Sequence, residues 1–259
     1  TPTMAVKDGN ALVINFCDIH YNKMPYMGFS DHYLKDFEQD IYMKLSDILD
    51  HASRYPIAKV VFTVGHDFFQ YNDSKGKTKH DTPVSHIMEY EDMFESGLRI
   101  LANCIYMINQ KYPMECYYVN ANHDSTAAWH ATRELSLMFA SAPDIAFATD
   151  KNHHHYLEWG DVLVEIIHEN IKGGRGRSVM AYTAREAWGR TKYHYSIGGH
   201  LHGEYTTKER DGTVIFGSRA LSDADEWHYL KDYVTNIRGI QAYLFNKYQG
   251  HIATFNANL

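Results

Sequence analysis

Residues Ala11 to His20 read Ala-Leu-Val-Ile-Asn-Phe-Cys-Asp-Ile-His, a short apolar run that stops at two groups able to bind a cation, Asp18 and His20. Apolar residues follow one another without helical spacing, as in a strand covered on both faces. Similar runs recur: Ala58 to Val64 ahead of Gly65-His66-Asp67, and Glu115 to Val119 ahead of Asn122-His123-Asp124. Farther on, Val162-Leu-Val-Glu-Ile-Ile precedes His168, and Tyr193-His-Tyr-Ser-Ile-Gly precedes Gly199-His200-Leu201-His202.

Helical spacing lies between them. Leu34, Phe37, Ile41, Leu45 and Ile48 fall three and four apart, predicting an amphipathic helix over about 31–51. Further helices are predicted over 84–110, 126–139 and 178–188. Alternating strand and helix argues for a layered α/β core. The segment 70–82 reads as a polar loop whose lysines at 75, 77 and 79 suit either an electrostatic arm or plain solvation. After Asp144 the texture turns to short strand-like runs. We expect one domain over 1–259, with 219–259 a strand-rich extension completing a second sheet.

Composition narrows the classes. The chain has 259 residues, 44% of them hydrophobic, and a formal net charge of −7, so a broad basic groove for duplex DNA is not evident. No run of about 18 apolar residues suggests a membrane span, and no secretory signal pattern opens the chain. Thr1 leaves open a trimmed chain or a fragment. Cys17, Cys104 and Cys116 are odd in number and irregularly spaced, against a disulfide framework and for a reduced, cytoplasmic setting.

Each polar fragment alone is weak. Asp-x-His is common by chance, and a single histidine such as His168 more often packs or solvates than ligates. Five such groups, each behind an apolar strand, are another matter. In open α/β sheets ligands gather outside the carboxyl ends of strands, and carboxylate, imidazole and amide oxygen all suit divalent cations.

The order Asp18-x-His20, Asp67, Asn122-His123-Asp124, His168, His200-x-His202 resembles the signature of calcineurin-like metallophosphoesterases, spanning residues 18 to 202. The resemblance implies a four-layer α-β-β-α sandwich of two mixed sheets flanked by helices. It implies two divalent metal ions, manganese foremost, with iron, zinc, nickel or magnesium also open. Asp18, His20 and His202 would ligate one ion, Asn122, His168 and His200 the other, and Asp67 would bridge them. His123 would serve as general acid or phosphate stabiliser, with Asp124 orienting it through a ring nitrogen. The reaction implied is phosphoester hydrolysis by a metal-bridging hydroxide.

The chain departs from the pattern at three places: His66 separates Gly65 from Asp67, Ala121 stands where glycine usually precedes Asn-His-Asp, and Glu169-Asn170 follow His168. His66 is either an added group reaching substrate or a side chain filling space. The stretches Asp225-Glu-Trp-His-Tyr229 and Gln241-Ala-Tyr243 resemble phage- and prophage-encoded members of the putative DNA repair exonuclease type. Arg175 and Arg177 in a glycine-rich loop could hold phosphate oxygens, or the loop could be a solvated turn. His228 with its aromatic neighbours could contact substrate bases, or Trp227 could pack in the core. The expected substrate is a nucleic acid or nucleotide diester, the protein acting as a phosphodiesterase or nuclease. A phosphomonoesterase and a non-catalytic nucleic-acid-binding module are the alternatives, and a homodimer is open.

Overall fold

The computed structural model describes residues 8–172, 175, 176, 179–209, 211–232 and 234–259; the side chains at 172, 175, 176 and 227 fall outside the description. In chain order the elements are β1 (Asn10–Asn15), α1 (Tyr33–Ala52), β2 (Ile57–Gly65), α2 (Tyr90–Asn109), β3 (Met114–Val119), α3 (Ser125–Met138), β4 (Ile145–Ala148), β5 (His155–Trp159) and β6 (Val162–Ile166). Then come β7 (Ile171–Lys172), β8 (Arg175–Gly176), α4 (Met180–Thr183), α5 (Arg185–Arg190), β9 (Tyr193–Gly198), β10 (Tyr205–Lys208), β11 (Val214–Gly217), α6 (Glu226–Leu230), β12 (Gly239–Asn246) and β13 (Gly250–Asn258).

Two mixed sheets result, one ordered β13-β12-β1-β2-β3-β4 and the other β10-β11-β9-β6-β5. The unbroken apolar run of β1 follows from its position, because successive side chains point to opposite faces. Leu12 and Ile14 enter a core with Phe37, Ile41, Leu45 and Ile48 of α1, while Ala11 and Val13 enter a second core with Val164 and Ile197 of the facing sheet. The same division holds in β2, where Val60, Phe62 and Val64 face the helices and Val61 faces the other sheet. Each fully buried Val, Leu, Ile or Phe contributes roughly 1.5–3 kcal/mol, so the two cores fix which strands stack. On the far side, α5 meets the second sheet through Trp188, whose ring lies 3.5 Å from that of His194 in β9. Helices thus flank a pair of mixed sheets.

The C-terminal strands correct one expectation. Rather than completing the second sheet, β12 pairs antiparallel with β1 (Val13 opposite Tyr243) and β13 extends the first sheet beyond it. Tyr243 and Phe245 still reach the inter-sheet core, so an apolar alternation identifies the strand without naming its partner.

For the site, the parallel pairings matter most. β1, β2 and β3 run parallel in the first sheet, and β6 and β9 run parallel in the second. Asn15 Nδ2 at the end of β1 donates to Gly198 O at the end of β9 at 3.1 Å, tying the carboxyl ends of the two sheets together. Among the described residues no helix is long and apolar enough to cross a membrane.

Candidate metal centre

The loops that leave these five strands converge. Asp18 follows β1, Asp67 follows β2, Asn122 and His123 follow β3, His168 follows β6, and His200 and His202 follow β9. Three overlapping groups have ligand atoms within 4.8 Å of one another: Asp18, His20 and His202; His20, Asp67 and His123; and Asp67, His168 and His200. Asp67 and His20 are each shared between two groups, so the three form one continuous cluster.

At one end, His20 Nε2 lies 3.1 Å from His202 Nε2, and Asp18 Oδ1 lies 4.0 Å and 3.6 Å from those two nitrogens. At the other, Asn122 Oδ1 lies 3.1 Å from His168 Nε2 and 3.0 Å from His200 Nδ1. Asp67 sits between, its Oδ2 3.0 Å from His168 Nε2 and its Oδ1 accepting from the His123 backbone N–H at 2.7 Å.

The local backbone is bent to achieve this. Nine described non-glycine residues have positive φ, and six of them are Asp18, His20, His66, Asp67, His200 and His202. Each costs of order 1–3 kcal/mol, a cost the core alone does not require. Gly65 precedes His66 and Asp67 with φ +83°, and a Cβ there would come within 2.7 Å of Ala128 Cβ and 2.9 Å of Val119 O. Gly199 lets the chain pass Asp18, since a Cβ would stand 2.3 Å from Asp18 Oδ2. That close approach allows the His200 N–H to donate to Asp18 Oδ2 at 2.8 Å. Ala121, where the sequence pattern suggested glycine, is not among the positive-φ residues, so the alanine sits without that strain.

Electrostatics prepare the ligands. Burial, and then neighbouring cations and imidazoles, hold His20 and His202 well below the usual histidine range, so both are neutral near pH 7. Burial and His168 also lower His200. Burial lifts Asp18 to about 6, while its Oδ1 is buried with no hydrogen-bond partner. Burial opposes ionisation of Asp67 too, but the His168 and His123 imidazoles outweigh it and hold the carboxyl below its usual range. An orphaned, buried carboxylate oxygen facing neutral imidazole nitrogens is costly unless a cation completes it. The donor set of carboxylate, imidazole and amide oxygen therefore fits divalent cations.

Several sequence expectations change. Asp124 does not reach a ring nitrogen of His123: its carboxylate accepts from the backbone N–H groups of Asp67 at 3.3 Å and Phe69 at 3.1 Å. His123 Nδ1 instead lies 2.8 Å from Gln70 O, leaving Nε2 for the cluster. His66 is fully buried, its Nδ1 2.9 Å from His168 Nδ1 and its Nε2 3.0 Å from Asn15 Oδ1, so it is not a substrate contact. His228 is likewise engaged on both nitrogens, Nε2 at 3.0 Å from His202 Nδ1 and Nδ1 at 2.6 Å from Asp225 Oδ1. Backbone of Arg175 forms β8, but its side chain, and Arg177 entirely, lie outside the described residues, as does the Trp227 side chain. In the lysine-bearing loop, Lys79 N–H donates to Asn122 O at 2.9 Å, so part of that loop braces the cluster through its backbone.

Asn15, Gln70 and Lys23 are neighbours of the cluster that sequence reasoning passed over, and Asp225 entered it only as part of a resembling stretch. Asn15 carried a signal, a polar residue inside an otherwise apolar strand. Gln70 acts through its carbonyl, which any residue supplies, and Lys23 joins Asp225 (3.5 Å) only in the folded chain.

No protein-family model matches the chain, and no curated protein gives a significant match. Among solved structures, wild-type Vps29 of Entamoeba histolytica, in complex with Zn2+, is similar at 10% identity and TM-score 0.34, covering 95% of this chain and 98% of that one. A dimetal phosphatase of Danio rerio is similar at 7% identity and TM-score 0.45, covering 98% and 99% respectively.

Proposed function

We propose that the chain is a metal-dependent phosphoester hydrolase acting on phosphodiesters of nucleic acid or nucleotides. The observation that carries the reading is the position of Asp67, shared between the His20/His123 group and the His168/His200 group. Asp18, His20 and His202 would hold one divalent cation, and Asn122, His168 and His200 a second, with Asp67 between. When bound, such a pair supplies Lewis-acid charge for phosphoryl oxygens, a template for in-line displacement and acidification of a water.

The protein's own groups do the rest. The Gln70 carbonyl can only accept, so His123 Nδ1 carries a proton toward it. The ring, which lies beside His20 and Asp67, is thereby oriented, and a proton carried on Nε2 is the one given to a departing alkoxide while the Nδ1–H stays on the Gln70 carbonyl. Alkoxide leaving groups of nucleotide diesters are basic enough to need that proton. Tyr26 and Tyr229 stack at 4.1 Å with both rings partly exposed, a face suited to nucleobases, and Tyr229 follows directly on His228, whose Nε2 meets His202. The three described cysteines are free and buried, in keeping with a cytoplasmic setting.

The test is a substrate panel with added Mn2+: bis(p-nitrophenyl) phosphate and single-stranded DNA against p-nitrophenyl phosphate and a phosphopeptide. Turnover of the diesters is expected. Turnover of monoesters alone would assign a phosphomonoesterase, and no hydrolysis by a protein that also retains no metal would leave a binding module.

A further inference from the structure

His66 is the residue that the sequence pattern does not account for, and its surroundings determine a single direction of hydrogen bonding. Gly198 O can only accept, so the Asn15 atom 3.1 Å from it is the amide nitrogen, which also lies 2.8 Å from Ser218 Oγ. Asn15 therefore turns its Oδ1 to His66, and His66 Nε2, at 3.0 Å, must carry the proton. His66 has no exposed surface, and its ring nitrogens meet an amide oxygen and an imidazole but no carboxylate, whereas Asp67 Oδ2 lies 3.0 Å from His168 Nε2. Of the two facing rings His168 is therefore the one placed to carry the proton between them, which leaves His66 Nδ1 a lone pair. The only ring nitrogen facing that lone pair among the described residues is His168 Nδ1, at 2.9 Å, which must donate.

We infer that His66 is a positioning residue: it holds His168 with Nδ1–H turned into the protein and Nε2 turned to Asp67 and Asn122. The relay rests on the metal-centre reading proposed above. Its start, Gly198, immediately precedes the Gly199–His202 loop, while Asn15, His66 and His168 belong to the ends of β1, β2 and β6. One line of three hydrogen bonds thus registers four strand ends from both sheets. Groups behind metal-bound histidines set ring orientation and ligand basicity, and their loss typically costs 10–100-fold in metal affinity. A histidine in that place differs from a carboxylate or carbonyl in having an acceptor only while its other nitrogen is held protonated, which is the part Asn15 plays.

Two variants of the full chain separate the possibilities. His66→Phe keeps a ring but removes the acceptor; His66→Asn places an amide oxygen near the former Nδ1 and tolerates the left-handed backbone, φ 64°. In 15N-histidine-labelled, metal-free wild type, a scalar coupling across the His168 Nδ1–H···Nδ1 His66 bond is expected, and it disappears in both variants. By calorimetric Zn2+ titration, wild type is expected to show two sites. In His66→Phe one site weakens 10–100-fold, and His66→Asn recovers most of that loss. A wild-type His168 protonated on Nε2 with Nδ1 bare, or a folded His66→Phe with both Zn2+ affinities unchanged, would overturn the inference. If His66→Phe fails to fold, the wild-type coupling and the His66→Asn titration decide it, unchanged affinity without the coupling counting against. A wild type that shows the coupling but binds no Zn2+ would instead sink the metal-centre reading and with it the relay's purpose.

Discussion

Asp124 holds Asp67 through the backbone: its Oδ1 accepts the Asp67 N–H at 3.3 Å while its Oδ2 accepts the Phe69 N–H at 3.1 Å. A carboxylate from the next strand end, after β3, thus shapes the loop after β2 that carries the shared ligand. Asp124 is fully buried, and burial together with Asp67 pushes its carboxyl upward. Removing it leaves two buried donors unsatisfied, each worth about 1–3 kcal/mol. Asp124→Ala is expected to lower unfolding free energy by about 2–5 kcal/mol and to weaken metal retention. Denaturant titration and metal analysis of the purified variant measure both. Wild-type stability with selective loss of turnover would return Asp124 to the role of orienting His123.

His123 makes a different prediction, because its ring is tethered at Nδ1 by Gln70 O and packs edge-on against the His20 ring. His123→Ala should retain its metals and lose about 10²–10⁴-fold in kcat, the usual range for a general acid or base. Single-turnover kinetics on a diester with a good leaving group should show a smaller loss than on one with a basic leaving group. Equal losses on both would remove the proton-transfer role.

The stability of the chelated protein should depend on pH in a particular window. Burial opposes protonation of His168, but Asp67 at 3.0 Å outweighs it and raises the imidazole from 6.5 to about 9. The folded state therefore binds this proton more tightly than the unfolded chain. The resulting stability is fully present below about pH 6.5 and is lost as pH rises through 9, up to about 3 kcal/mol from this group. The raised Asp124 carboxyl acts with the same sign. Thermal unfolding of chelated samples between pH 6.5 and 9 checks the slope. Cation-loaded protein should lack the His168 part, since ligation displaces that proton.

His228 tests whether the tail serves substrate or metal. Its Nε2 backs His202 while Asp225 holds its Nδ1. His228→Ala is expected to weaken one cation 10–100-fold. A rise in KM with unchanged metal affinity would return His228 to the substrate contact that the sequence suggested.

Much of the architecture was readable because its signals are local. Apolar runs marked β1, β2, β3, β6 and β9, and three-four spacing marked α1 to within about two residues at its start. The start of α2 was set too early, at 84 rather than Tyr90. The reason is tertiary: buried Asn22 accepts from the N–H groups of Ile87 (3.1 Å) and Met88 (2.7 Å), drawing 87–88 out of helix. The single helix expected over 178–188 is instead α4 and α5, divided at Ala184 (φ −116°, ψ 39°). Strand partnership was the other gap, as β12 showed. At the site, spacing and residue type named the side chains that gather. Spacing could not say which of them stand behind others, since His66, His228 and Asp124 differ from their neighbours only in where hydrogen bonds lead.

Six left-handed residues around one cluster also bear on how this protein meets a shortage of cations. Without ions to reward them, those loops are spring-loaded segments on an otherwise well-buttressed sandwich. Starvation for metal should loosen the rim first and leave the sheets intact, so that amide exchange quickens at 18–20, 65–68 and 199–202 well before the molecule melts. Refilling then acts like a latch: ions return to a scaffold whose strands never came apart, and activity comes back without refolding.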